Sequence, residues 1–113
     1  MISRFDHVVI GVRDLEAASA RYRALGFEVN PGGRHTGLGT ANAIIRFGVD
    51  YIELLTVADP EEAERAGGSS KVLLDLLQDR PGALAGYALA TANIEEDAER
   101  LKQGGLAAVG PFA

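Results

Sequence analysis

The chain partly repeats itself. Moved along by 79 positions, Asp14-Leu15-Glu16 falls on Asn93-Ile94-Glu95, Arg21 on Arg100, and Gly26-Phe27 on Gly105-Leu106. A repeat of this kind means one supersecondary unit used twice, each copy burying its apolar face against something else. The constraint is severe, because whatever the first unit folds into, the second must begin to fold into as well.

The first unit reads from residue 5. Phe5–Val12 is short and β-branched, which predicts a strand. Asp14 caps a helix whose Leu15, Ala18, Tyr22 and Leu25 recur every three or four residues and so share a face. Gly26 supplies the left-handed residue that ends it. Phe27-Glu28-Val29 opens a second strand, followed by a glycine-rich loop from Pro31 to Thr40. Ala41–Phe47 and Asp50–Val57 read as two strands joined by a tight link at Gly48-Val49. The order is β-α-β-β-β.

Residues 58–82 change character. Asp59-Pro60 starts a short acidic helix, Gly67-Gly68-Ser69-Ser70 breaks it, and Lys71–Asp79 carries Val72, Leu73, Leu76 and Leu77 on one side of another. This is a helical crossover. From residue 83 the repeat resumes, with Gly86–Thr91 as the strand, Asn93 and Glu96 as a capping box, and Ile94, Ala98 and Leu101 as the buried helix face. The counterparts of the first unit's last two strands would lie beyond residue 113. The expected architecture is one α+β domain over 1–113: a complete βαβββ module with a curved mixed sheet (1–57), the crossover (58–82) and an incomplete second βα(β) repeat (83–113).

Composition narrows function. The net charge is -5, and the 11 basic residues form no stripe that would track a phosphate backbone, so no nucleic-acid partner is expected. With no cysteine, a disulfide framework and thiolate metal sites are excluded. No apolar run approaches the roughly 20 residues that span a bilayer, and Met1–His7 lacks the long apolar run expected of a signal peptide. A cytoplasmic protein without a membrane partner is expected.

Phe5-Asp6-His7-Val8-Val9-Ile10-Gly11-Val12-Arg13-Asp14-Leu15, with Tyr22 and Leu25-Gly26-Phe27, resembles the opening of a vicinal oxygen chelate module. Pro31-Gly32-Gly33-Arg34-His35-Thr36-Gly37 through Thr40-Ala41-Asn42, then Tyr51-Ile52-Glu53-Leu54-Leu55, is similar to the glyoxalase-like branch of that superfamily. The resemblance implies two modules whose sheets curve into a cup, with a divalent cation (Zn, Mn, Fe or Ni) held by one ligand from the first and one from the last strand of each module. His7 and Glu53 stand at those positions, and Glu53 doubles as the catalytic base. Strand alternation agrees, since His7 and Val9 share one face while Val8, Ile10 and Val12 share the other. The shift places Gly86 where the second histidine belongs. His7 and Glu53 are therefore either half of a metal site, completed in a symmetric dimer, or a hydrogen-bonded pair without metal.

Candidate substrate-binding residues are Arg34, His35, Asn42, Arg46 and Tyr51. Arg34 either clamps a carboxylate or phosphate or belongs to a solvated loop with His35. Asn42, with Thr40, either faces ligand or ties that loop down. Arg46, expected to be buried, is salt-bridged across the hairpin to Glu53 or Tyr51, or binds ligand. Tyr51 presents its hydroxyl to the cup or fills it. Three functions fit: a metal-dependent lyase, isomerase or dioxygenase; a metal-free small-molecule binder of the resistance type; and an inactive fragment of a longer two-module protein. The unpaired sheet edge left by the half-finished unit predicts a homodimer, with elements exchanged or not.

Overall fold

The computed structural model describes residues 1–110. Its elements are β1 (Ile2–Val12), α1 (Leu15–Ala24), β2 (Asn30–His35), β3 (Thr40–Phe47), β4 (Asp50–Val57), α2 (Pro60–Ala66), α3 (Gly68–Leu76), β5 (Gly82–Thr91) and α4 (Ile94–Gln103). The strands form one curved mixed sheet in the order β2-β3-β4-β1-β5. β1 runs parallel to β4 and antiparallel to β5, and the β3–β4 hairpin turns on Gly48-Val49.

Alternation decides the two faces. Ile10, Ile52, Leu54, Ala43 and Ile45 turn toward α1, where they pack with Tyr22. Leu54 is wholly buried, and burying a side chain of that size stabilises by roughly 1.5–3 kcal/mol. The other face carries His7, Val9, Tyr51, Glu53 and Asn42. α3 covers its Gly11 end, where a Cβ on Gly11 would lie 2.8 Å from Leu73.

The second unit copies the first in its backbone bonds. Asp14 Oδ1 accepts from Ala17 N at 3.0 Å, and Asn93 Oδ1 from Glu96 N at 3.1 Å. Each helix closes with the same pair of bonds: Phe27 N and Gly26 N donate to Tyr22 O and Arg23 O, while Leu106 N and Gly105 N donate to Leu101 O and Lys102 O. This is the Schellman arrangement, and it requires a left-handed residue. Gly26 (φ 100) and Gly105 (φ 89) supply it.

Strand pairing obeys the same shift. Val8 pairs with Tyr87, its own counterpart; His7 pairs with Ala88 and Val9 with Gly86, each pair the mirror of the other. The register slips nearest this pair leave Asp6 extra on β1 and Ala85 extra on β5, and a further slip leaves Ser3 extra at the start of β1. Asp6 and Ala85 are also 79 apart. An internal two-fold axis therefore passes through the Val8–Tyr87 pair.

Several expectations need correction. The stretch from Pro31 was expected to be a loop, yet Asn30–His35 is a strand, bulged between Pro31 and Arg34 and paired with β3; Phe27 and Val29 serve the core from outside any strand. Leu25 lies past the helix and is 75% exposed. α3 begins at Gly68, and β5 begins at Gly82 because Gly82–Leu84 still pair with Ile10–Val12. Ile94 and Leu101, expected to be buried, are exposed among the described residues. Residues 106–110 form no strand, and the end of the expected partial module, 111–113, lies outside the described residues. No helix among the described residues is long and apolar enough to cross a membrane.

Candidate functional site

Three adjacent strands bring the site together. β1 contributes Asp6 and His7, β4 Tyr51 and Glu53, β3 Asn42 and Arg46. His7 lies beside Tyr51 in the parallel ladder, and Arg46 is opposite Tyr51 in the antiparallel one. The three side chains form a row: the His7 and Tyr51 rings stack at 4.3 Å and 10°, and the Arg46 guanidinium sits 5.4 Å from the Tyr51 centroid. The expectation of a buried Arg46 is thus corrected, while Tyr51, one of the two partners expected for it, is the one it meets. Arg46 is exposed at the β3 end of the row, and its partner is the ring of Tyr51 rather than a carboxylate.

His7 and Glu53 share the face. Their side chains are 18% and 16% exposed, with Nε2 3.8 Å from Oε1. Glu53 is held from behind, as Asn42 Nδ2 donates to its Oε2 at 2.7 Å. Asn42 Oδ1 in turn accepts from Gly33 N at 3.1 Å. Only one orientation of the amide satisfies both bonds. The neighbouring glycine makes room for this, because a Cβ at Gly32 would overlap the Asn42 side chain. Asn42 therefore does two things: it ties β2 to β3 and it fixes one oxygen of Glu53, leaving the other toward His7.

Asp6 was missed in the sequence. In a regular strand Asp6 and His7 point to opposite faces; the bulge re-aims one of them, and Asp6 Oδ2 meets His7 Nδ1 at 2.8 Å. Arg4 braces Asp6 at 3.0 Å and reaches Asp50 on β4 at 2.9 Å. The hydrogen bond from His7, reinforced by the Arg4 charge and opposed by burial, lowers the Asp6 carboxyl below its ordinary range. Burial raises the Tyr51 hydroxyl, with Asp6 and Glu53 acting in the same direction and Arg46 against it. Tyr51 stays a neutral phenol in this setting.

Arg34 and His35 lie apart from this cluster. Arg34 faces Asp59, the cap of α2, at 3.6 Å, and His35 Nδ1 meets Thr40 Oγ1 at 2.8 Å. The turn beyond them is tied to α2 by Glu62, which accepts from Gly37 N and Gly39 N. Their partners belong to the crossover and to β3, none to the His7–Glu53 pair.

A cavity of about 790 Å³ is an open groove between the start of α1 and the β2–β3 ladder, lined by Leu15, Ser19, Arg23, Gly32 and Asn42 among others. Neither His7 nor Glu53 lines it. Asn42 both lines the groove and bonds Glu53.

An imidazole nitrogen and a carboxylate oxygen are suitable donors for Zn, Mn, Fe or Ni. Catalytic centres usually draw on three protein donors. Among the described residues no group of three or more His, Asp or Glu side chains is placed to hold one ion.

None of the curated proteins compared matches the chain. Among solved structures, methylmalonyl-CoA epimerase from Mycobacterium tuberculosis is similar at 21% identity and TM-score 0.73, over 92% of this chain and 65% of that one. A Streptomyces coelicolor methylmalonyl-CoA epimerase variant, in complex with 2-nitronate-propionyl-CoA, is similar at 24% identity and TM-score 0.76, over 95% and 75%. A hypothetical protein from Staphylococcus aureus, 25% identical with TM-score 0.76, is covered over 44% of its length. The chain thus spans just under two thirds of the first of these proteins, and the likeness to the two epimerases establishes the fold. The sequence profile described as a glyoxalase-like domain matches residues 5–113, and the chain belongs to the glyoxalase-like family.

Proposed function

We propose that the His7–Glu53 face is the ligand-binding side of a small-molecule isomerase-type protein, and that the chain carries half of its divalent-metal site. The observation that supports this most is the pair itself, Nε2 and Oε1 at 3.8 Å, with Glu53 Oε2 already engaged by Asn42. Two donors fit such an ion in chemistry; they fit it in number when a second copy brings its own pair. The similarity to epimerases that bind CoA thioesters supports proton transfer beside a carbonyl as the reaction class.

A bound divalent cation supplies Lewis acidity toward a substrate oxygen. The chain's own part is positional. Asn42 holds Oε2, so Oε1 is the oxygen of Glu53 free to take and return a proton. The Arg46–Tyr51–His7 row forms a flat wall with a cation at one end, suited to a planar, anionic enolate-like group. Arg34 remains a candidate for an outlying acidic group only if Asp59 releases it.

The proposed partner is a second copy. β5 is an edge strand of ten residues without a charge, with Leu84 and Tyr87 exposed, and such edges recruit strands. A homodimer at micromolar concentration is expected, with or without exchanged elements, by sedimentation equilibrium; a stable monomer would sink this part. A metal-free binder is the second reading, favoured by Gly86, where the counterpart of His7 is missing. Elemental analysis of protein purified without chelator separates the two. Divalent metal in the wild type that disappears in His7→Ala supports the first reading; no metal, with thermal stabilisation by a small carboxylate or thioester, supports the second.

A further inference from the structure

We infer that Asp6 is a positioning residue that locks His7 in one tautomer, with the proton on Nδ1 and the Nε2 lone pair turned toward Glu53. The inference rests on the His7–Glu53 reading for its functional meaning, though not for its test.

The argument starts from the bulge. Asp6 and Ala85 are the extra residues that flank the centre of the β1–β5 ladder and are related by the internal two-fold, while a third slip, at Ser3, lies at the ladder's end. The bulge is thus a property of the fold, present in both units whichever side chain occupies it. Only in the first unit does that position carry a carboxylate, and only there is the next residue a histidine; the second unit has Ala85 and Gly86. The bulge turns Asp6 Oδ2 onto His7 Nδ1 at 2.8 Å. A carboxylate only accepts hydrogen bonds, so the imidazole nitrogen facing it must be the donor. In the neutral ring the other nitrogen is then the acceptor, and it is the one 3.8 Å from Glu53.

Three further contacts keep the arrangement from relaxing. Arg4 reaches Asp6 Oδ1, the oxygen His7 does not use, at 3.0 Å. Its second contact, on Asp50, fastens this support to β4. The Tyr51 ring stacked at 4.3 Å restrains rotation of the imidazole about χ2. A ring held at Nδ1 by an acceptor and on its face by an aromatic has one nitrogen left to offer a ligand. Carboxylates behind coordinating histidines orient the ring in this way, and losing such a partner typically costs 10–100-fold in metal affinity.

The test needs no bound ligand. The chain has two histidines, so long-range ¹H–¹⁵N spectra at alkaline pH report both tautomers, with His35→Gln assigning them. The wild type is expected to show His7 as the Nδ1–H form. Asp6→Ala should move His7 toward the Nε2–H form while His35 is unchanged, and Asp6→Asn, which keeps an acceptor oxygen, should restore Nδ1–H. A wild type in the Nε2–H form, or an Asp6→Ala variant still in the Nδ1–H form, overturns the inference. Amide spectra of each variant check folding, and Asp6→Leu, which also removes the acceptor oxygen, takes the place of Asp6→Ala if that variant is unfolded. A nickel titration adds the functional arm: 10–100-fold weaker binding is expected in Asp6→Ala than in the wild type, and equal affinities would count against a positioning role. If the wild type binds no nickel, the metal reading fails while the tautomer result still decides the role of Asp6.

Discussion

The β1–α1 and β5–α4 units use one backbone plan: a strand bulged at Asp6 or Ala85, a helix capped by Asp14 or Asn93, and a Schellman end on Gly26 or Gly105. Their side chains diverge at the site and at part of the helix face. His7 corresponds to Gly86, Asp6 to Ala85, and Ala18 to Asp97, which replaces an apolar contact with an ion pair to the N-terminal amine at 3.3 Å and a hydrogen bond from Thr91. Caps, glycines and register are local instructions and survive in both units. Chemistry and helix burial depend on what else is nearby, and only the first unit has β2, β3 and β4 beside it.

The largest difference expected between the units is in stability. Leu54→Ala, at the centre of the first unit's core, should cost about 2–5 kcal/mol in urea unfolding. Ile94→Glu, on the exposed face of α4, should cost about 0.5 kcal/mol or less in dilute protein and act instead on assembly, lowering the dimer fraction in sedimentation. Equal costs in dilute protein would show that α4 is packed as tightly as α1.

Restoring the missing histidine comes next. A Cβ at Gly86 meets nothing within 4 Å, and Gly86 pairs with Val9 on the His7 face. Gly86→His should tighten nickel or zinc binding by at least about tenfold, or ~1.4 kcal/mol, read by calorimetry. No gain would mean that the two-fold seen in the backbone does not extend to side-chain directions.

Smaller effects follow from the caps. Asp14→Ala should cost ~1 kcal/mol of global stability, whereas Asn93→Ala should be seen mainly as faster amide exchange confined to Ile94–Gln103. A global loss from Asn93→Ala would mean that α4 unfolds with the core.

The smallest effects are in acid. Thr91, then the N-terminal ammonium, lower the Asp97 carboxyl, as His7 and Arg4 lower that of Asp6. A carboxyl depressed in the folded state stabilises above its unfolded pKa, near 3.8, and loses that contribution as pH falls below it. Urea midpoints should therefore fall below about pH 4, and Asp97→Asn should flatten part of that slope without moving the neutral-pH dependence. A variant with an unchanged acid slope would remove Asp97 from the explanation.

Much of this was legible in the sequence, for reasons that differ by residue. The 79-residue spacing of Asp14 and Asn93, and of Gly26 and Gly105, is local chemistry repeated, and it located both helices. Placing His7 with Glu53 came from the resemblance to a vicinal oxygen chelate module, and strand alternation agreed with it. Asp6 escaped because a period of two cannot reveal one extra residue in a strand. The face of Ile94 and Leu101 is apolar by spacing, and spacing says nothing about whether an element covers it. β2 was hidden because Gly32 and Gly33 have no strand preference of their own; pairing with β3 and the close approach of Asn42 place them there. Arg34 finds Asp59, 25 residues away, through a packing of loop on crossover that no local pattern encodes.

Diffraction from crystals soaked in nickel, with anomalous differences located, probes the proposed site most directly. The account predicts a nickel peak within bonding distance of His7 Nε2 and Glu53 Oε1, with Asp6 behind His7 at Nδ1. Nickel bound elsewhere, or the two side chains found on opposite faces of the sheet, would contradict it.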